Sequence, residues 1–121
     1  MMLRVGTDLT VVARIEHLIA AVGEPFLARG WTAAERAACA GRAESLAARW
    51  AAKEATLKAL GVGIDAVPMT DIEVRDTADG PQLALTGAAA ARAAGLGLTE
   101  WAVSLAHDGG MALAFVVATR A

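Results

Sequence analysis

Apolar residues fall at every second position in some stretches of this chain and at every third or fourth in others, the two periodicities that separate strands from helices. Met2-Leu-Arg-Val-Gly-Thr-Asp8 reads as a short first strand that leaves Asp8 at its end. Val11, Ile15, Leu18 and Val22 share a helical face, so a helix is expected over residues 11–22, broken by Gly23-Glu24-Pro25. Thr32-Ala-Ala-Glu35 has the hydroxyl-to-carboxylate spacing of a capping box and starts a short second helix. A longer helix is expected from Ala43 to Leu60, closed by Gly61-Val-Gly63, where glycine can take the left-handed conformation.

The second half of the chain carries strand signals. Ile72-Glu-Val-Arg75 alternates, Ala78-Asp79-Gly80 marks a turn, and Gln82-Leu-Ala-Leu-Thr86 pairs back as a hairpin. A brief helix over 87–94 precedes a second hairpin, 101–107 with 111–117, about Asp108-Gly109-Gly110. Helices early and hairpins late predict an α+β fold, an antiparallel sheet packed against the long central helix. Its length of 121 residues suits one domain spanning 1–121.

Composition narrows the partners. The chain is 56% hydrophobic and 20% charged with a net charge of −2, so bulk attraction to nucleic acid is not expected. Much of the apolar fraction is alanine, which buries little area per residue, so a partner surface is expected to complete the core. No run approaches the roughly 18–20 apolar residues of a membrane span, and the first apolar stretch lacks a basic leader. With Cys39 the only cysteine, neither a disulfide nor a cysteine metal site can form within the chain, and a cytoplasmic setting is expected.

Lys53 and Lys58 are the only lysines, and they bracket Glu54 on the long helix. Leu46, Trp50, Leu57 and Leu60 form an apolar stripe with Lys53 inside it. In a bland reading Lys53 snorkels its head to water. Glu54 and Lys58 then form a helix pair contributing a few tenths (~0.3) of a kcal/mol. In a functional reading Glu54 and Lys58 converge on a ligand, and Asp8 adds a second hard oxygen of the kind Mg²⁺ prefers beside phosphates. Asp8 reads equally well as a helix N-terminal carboxylate favoured by the dipole.

His107 closes a strand, with Ser104 three residues earlier; strand alternation puts them on opposite faces unless the strand end twists or bulges. His107 is either structural or exposed, or it donates to a phosphate or base. Gly61 and Gly63 either stop the helix or let backbone N–H groups approach a phosphate. Arg14, Arg29, Arg36, Arg42 and Arg49 could dock an acidic partner. As a set they also read as a solvated face balanced by Glu16, Glu24, Glu35 and Glu44. Arg14, close in sequence to Asp8, is the strongest exception.

Three segments together, Gly6-Thr-Asp8 with Arg14-Ile15-Glu16, Arg49-Trp-Ala-Ala-Lys-Glu-Ala-Thr-Leu-Lys-Ala-Leu-Gly61, and Ser104-Leu-Ala-His107-Asp108, resemble the holo-acyl-carrier-protein synthases, which are 4′-phosphopantetheinyl transferases. The resemblance implies that fold, and transfer of the phosphopantetheine arm of coenzyme A to a serine of an apo acyl carrier protein, releasing adenosine 3′,5′-bisphosphate. It implies Mg²⁺, with Mn²⁺ as the alternative, held by Asp8 and Glu54, and Lys58 on the phosphates. Lys53 matches the pattern as a coenzyme A contact, together with Gly61, Gly63, Ser104 and His107 toward the nucleotide end. Arg14 matches a position facing the carrier. Members of this short type form homotrimers with active sites between subunits, so that Asp8, Glu54 and Lys58 would come from one protomer and His107 from the next. Val62 between the glycines, Ala106 before the histidine and Thr10 depart from residues usual in the family. The competing expectation is a non-catalytic coenzyme A or carrier-binding module of the same fold.

Overall fold

A computed structural model describes residues 2–120, so the two ends of the expected 1–121 domain lie outside the described residues. Its elements in order are β1 (Leu3–Val11), α1 (Val12–Val22), α2 (Glu24–Gly30), α3 (Ala33–Cys39), α4 (Ala43–Leu60), a single 3-10 turn (Met69–Asp71), β2 (Ile72–Thr77), β3 (Gly80–Leu85), α5 (Gly87–Gly95), β4 (Glu100–Asp108) and β5 (Met111–Thr119). All pairing is antiparallel. β5 is the central strand of a sheet ordered β1-β5-β4, while β2 and β3 form a separate hairpin.

The expected α+β architecture is present, with α4 laid across the inner face of the three-stranded sheet. α4 is buried around most of its circumference. Its contact with the sheet is made mostly of small residues: Ala47, Ala51, Ala52, Ala55 and Ala59 on the helix, and Gly6, Ala112, Ala114 and Ala118 on the strands, with Val116 the larger exception. Small side chains let the two backbones approach closely, and at Gly6 that approach is extreme. A Cβ there would stand 1.8 Å from the carbonyl oxygen of Ala55.

Local signals account for the helix ends. Both bonds of the Thr32–Glu35 capping box form, and Gly61 closes α4 in the left-handed region at φ 71°. The elements of the second half differ from expectation by only one or two residues at their ends, and two boundaries in the first half differ in kind. β1 continues through Leu9, Thr10 and Val11, because those residues keep the alternation and pair with β5, so Asp8 lies inside the strand rather than at its end. Gly23-Glu24-Pro25 ends α1 but also opens α2, with proline in its first turn, where the missing N–H has no helical partner to lose.

Candidate active site

β1 carries Gly6, Asp8 and Thr10 on the face toward α4, and the close approach at Gly6 brings Asp8 down onto the helix beside Glu54 and Lys58. The Asp8 side chain is 11% exposed. Its Oδ2 accepts a hydrogen bond from the Thr10 hydroxyl at 2.9 Å. Lys58 Nζ lies 3.5 Å from Asp8 Oδ1 and donates to the Thr7 carbonyl at 2.8 Å. The Glu54 carboxyl, half-buried, interacts with Asp8. Burial, followed by the Asp8 contact and charge, pushes the Glu54 pKa up to about 7, while Arg14 and Lys58 pull in the opposite direction.

Two acidic side chains 46 positions apart in the chain (54 minus 8) therefore meet between a strand and a helix, with the cations of Lys58 and Arg14 close by. Because Asp8 sits within β1, its reading as a helix N-terminal carboxylate is corrected.

Lys53 is placed elsewhere. Its side chain is fully buried, and Nζ donates to Glu35 Oε1, to the Met69 carbonyl and to the Ile72 carbonyl. Neither the snorkelling head nor the coenzyme A contact survives, because all three ammonium donors already have partners inside the protein. Gly61 is corrected as well: its N–H bonds back to Lys58, and the space a side chain would fill is taken by the Arg4 guanidinium, so it acts as a helix stop. Gly63 borders open space.

His107 and Ser104 stay on opposite faces of β4. Ser104 points outward in a row with Phe115 and Thr7, whereas His107 shares the inner face with Leu105. His107 Nδ1 lies 2.9 Å from Glu44 Oε2. It lines a cleft of about 550 Å³ with Arg42, Glu44, Ser45 and Arg49 at the N-terminal end of α4. Since α4 rises by ~1.5 Å per residue, Glu44 and Glu54 are about 15 Å apart along it. One chain thus keeps the His107 cleft separate from the Asp8–Glu54 pair.

Arg49 departs from the solvated face expected of it. Its side chain is 7% exposed, paired with Asp76 at 2.8 Å, and its Nε is buried with no hydrogen-bond partner. Arg49 also lines the His107 cleft, where its charge suits an anionic ligand. Its place one turn before Lys53 on the same apolar helix was the available signal.

A family model described as the 4′-phosphopantetheinyl transferase superfamily matches residues 4–115. A holo-acyl-carrier-protein synthase of Herpetosiphon aurantiacus is 49% identical over 124 residues, covering 96% of this chain and 98% of that protein. Among solved structures, the Helicobacter pylori holo-acyl-carrier-protein synthase in complex with coenzyme A superposes with a TM-score of 0.86 at 30% identity, covering 95% of this chain and 99% of that one. A coenzyme A complex of the Chronobacterium ammoniagenes enzyme gives a TM-score of 0.88 at 30% identity, covering 100% and 99%.

Proposed function

The chain belongs to the 4′-phosphopantetheinyl transferase superfamily, within its holo-acyl-carrier-protein synthase family, and from that premise we propose that it moves the phosphopantetheine arm of coenzyme A onto a serine of an apo acyl carrier protein. The serine hydroxyl gives up its proton to water as its oxygen bonds to the β-phosphorus, the bond from that phosphorus to the bridging oxygen breaks, and adenosine 3′,5′-bisphosphate departs with the added charge. The single observation that carries this reading is the meeting of Asp8 and Glu54 beside Lys58.

That donor set fits a divalent cation of the Mg²⁺ type. Two carboxylates crowded together, one with its pKa raised, relieve their repulsion by sharing a hard cation. No cluster of three or more His, Cys, Asp or Glu residues suited to a metal occurs among the described residues, so the remaining ligands would be water and the diphosphate of the substrate. When bound, Mg²⁺ would neutralise charge on the diphosphate. Lys58, 57% exposed at the end of a flexible stem, is free to turn from Asp8 to the phosphate oxygens and offset charge on the leaving group. Arg14 is exposed beside Glu54, where an acidic carrier helix could reach it as its serine approaches.

The His107 cleft, with Arg42 and Arg49 in its lining, suits the 3′-phosphate end of the nucleotide. Its separation from Asp8 and Glu54 within the chain favours sites shared between protomers. The outward face of the three-stranded sheet supports assembly: Leu3, Val5, Leu9, Val11, Leu113 and Phe115 are all exposed there, Phe115 at 47%. We read that apolar face as the surface that builds a trimer.

Intact-mass spectrometry of an apo carrier incubated with the protein, coenzyme A and Mg²⁺ tests the activity. The expected result is a gain of one phosphopantetheine per carrier. Coenzyme A binding without any mass gain across several carriers would assign the chain to the binding-module alternative.

A further inference from the structure

A lysine and a glutamate enclosed in a core are a poor means of gaining stability, since desolvating both charges offsets most of their attraction. Lys53 and Glu35 are nevertheless 0% exposed and fully connected. The ammonium reaches Glu35 Oε1 at 2.6 Å and the Met69 carbonyl at 2.9 Å, and it also donates to the Ile72 carbonyl. Glu35 in turn accepts from the Thr32 N–H and from the Val74 N–H, each at 3.0 Å. The pair ties the start of α3, the middle of α4 and the entry to β2 into one network, and every partner of the ammonium lies outside α4.

The rest of the α4 surface explains why such a tie is wanted. Where α4 meets the sheet, its alanines face mainly alanine and glycine, with Val116 the one larger buried side chain of the central strand. Short side chains build shallow ridges, so on this face packing does little to define the rotation of the helix about its axis, and larger groups on its other faces, Leu46, Leu57, Leu60 and Lys53, must set it. A rotation of about 20° would carry a side-chain tip ~5–6 Å from the axis through about 2 Å. Displacements of about 1 Å at a reacting centre can cost ~10²-fold in rate. Glu54 is the next residue after Lys53, about 100° further round the helix. It lies in sequence between the Lys53 anchor and Ala55, whose backbone comes close to Gly6.

We propose that Lys53 and Glu35 are positioning residues for phosphopantetheinyl transfer: the buried pair locks the rotation of α4 so that Glu54 is presented to Asp8. This rests on the reading of Asp8 and Glu54 as the reaction centre. The lock acts through the helix, and neither residue touches substrate.

The test replaces the pair by apolar side chains of similar size, Lys53→Met with Glu35→Leu, which removes both charges without stranding one. Melting temperature, direct Mg²⁺ binding by calorimetry on the coenzyme A-loaded protein, and steady-state kinetics are read together. The expected result is a folded protein with the parental KM for coenzyme A, Mg²⁺ affinity weakened at least tenfold and kcat lowered at least tenfold. A purely structural pair would move the melting temperature and leave Mg²⁺ affinity and kcat in place, which would overturn the proposal. Should that variant fail to fold, Lys53→Gln with Glu35→Gln, able to form an amide pair, is read in the same way. Failure of both to fold assigns the pair to the fold itself and overturns positioning. Absence of transfer by the parental protein would instead refute the proposed function, and the Mg²⁺ measurement would still report on the Asp8–Glu54 geometry.

Discussion

A carboxyl group whose pKa is raised by burial and by a second carboxylate is poised to exchange its proton for a cation. In the metal-free protein the Glu54 pKa is about 7 against an ordinary value of 4.5. The folded state therefore holds a proton that the unfolded state releases, and the stabilisation this brings is fully present below pH 4.5 and lost as pH rises through about 7. The melting temperature of the metal-free parent, measured relative to Glu54→Gln, should fall across that window. Adding Mg²⁺ at pH 8 should raise the parent and leave the variant unmoved, and the variant should lose at least ~10²-fold in transfer rate. A flat difference across pH, or equal Mg²⁺ responses, would remove Glu54 from the cation site. Asp8, Glu54 and Lys58 were legible as candidates because their residue types and their setting limit what they can do. The fates of Lys53 and Arg49 were not, because their partners Glu35 and Asp76 lie 18 and 27 residues away and only the fold brings them together.

At the level of elements, the site depends on how near β1 can come to α4, and Gly6 sets that distance. An alanine at this position would put its methyl 1.8 Å from the Ala55 carbonyl oxygen, a backbone atom that cannot turn aside. The strand would have to lift, taking Asp8 two residues further on with it. Gly6→Ala is expected to destabilise the protein by about 3 kcal/mol, lowering the melting temperature by on the order of 10 °C, and to cut transfer further than the loss of folded protein explains. Activity per folded molecule equal to the parent would show that Asp8 keeps its place without the contact. The elements themselves were largely readable: the helix from Ala43 to Leu60 has its stop in Gly61, and Thr32 and Glu35 announce α3. The misplaced boundaries share one cause. Polar or helix-breaking residues read as ends at Asp8 and Pro25, whereas cross-strand pairing carries β1 past the first and α2, starting at Glu24, runs through the second.

The whole molecule presents a sheet that is apolar on both sides, with α4 covering one face and the other bare. Alanine-rich composition foretold an unfinished core but could not say where, since the outward row is defined only once β1, β5 and β4 are in register. Phe115 sits on the central strand of that bare face, flanked in its row by Thr7 and Ser104. A charge there would remain in water in an isolated protomer, yet would have to be desolvated wherever another copy covers the sheet. Phe115→Arg should thus leave the protomer folded, with near-parental circular dichroism, while light scattering shows a monomer where the proposed trimer is expected of the parent. Transfer should fall at least tenfold, because Asp8 and Glu54 would lose the His107 cleft of a neighbour as the shared-site reading requires. Mixing the dissociated variant with Glu54→Gln separates the two ideas. Any activity regained through mixed assemblies must come from complementary halves of sites on different chains. A monomeric Phe115→Arg with full activity would show instead that each chain completes its own site.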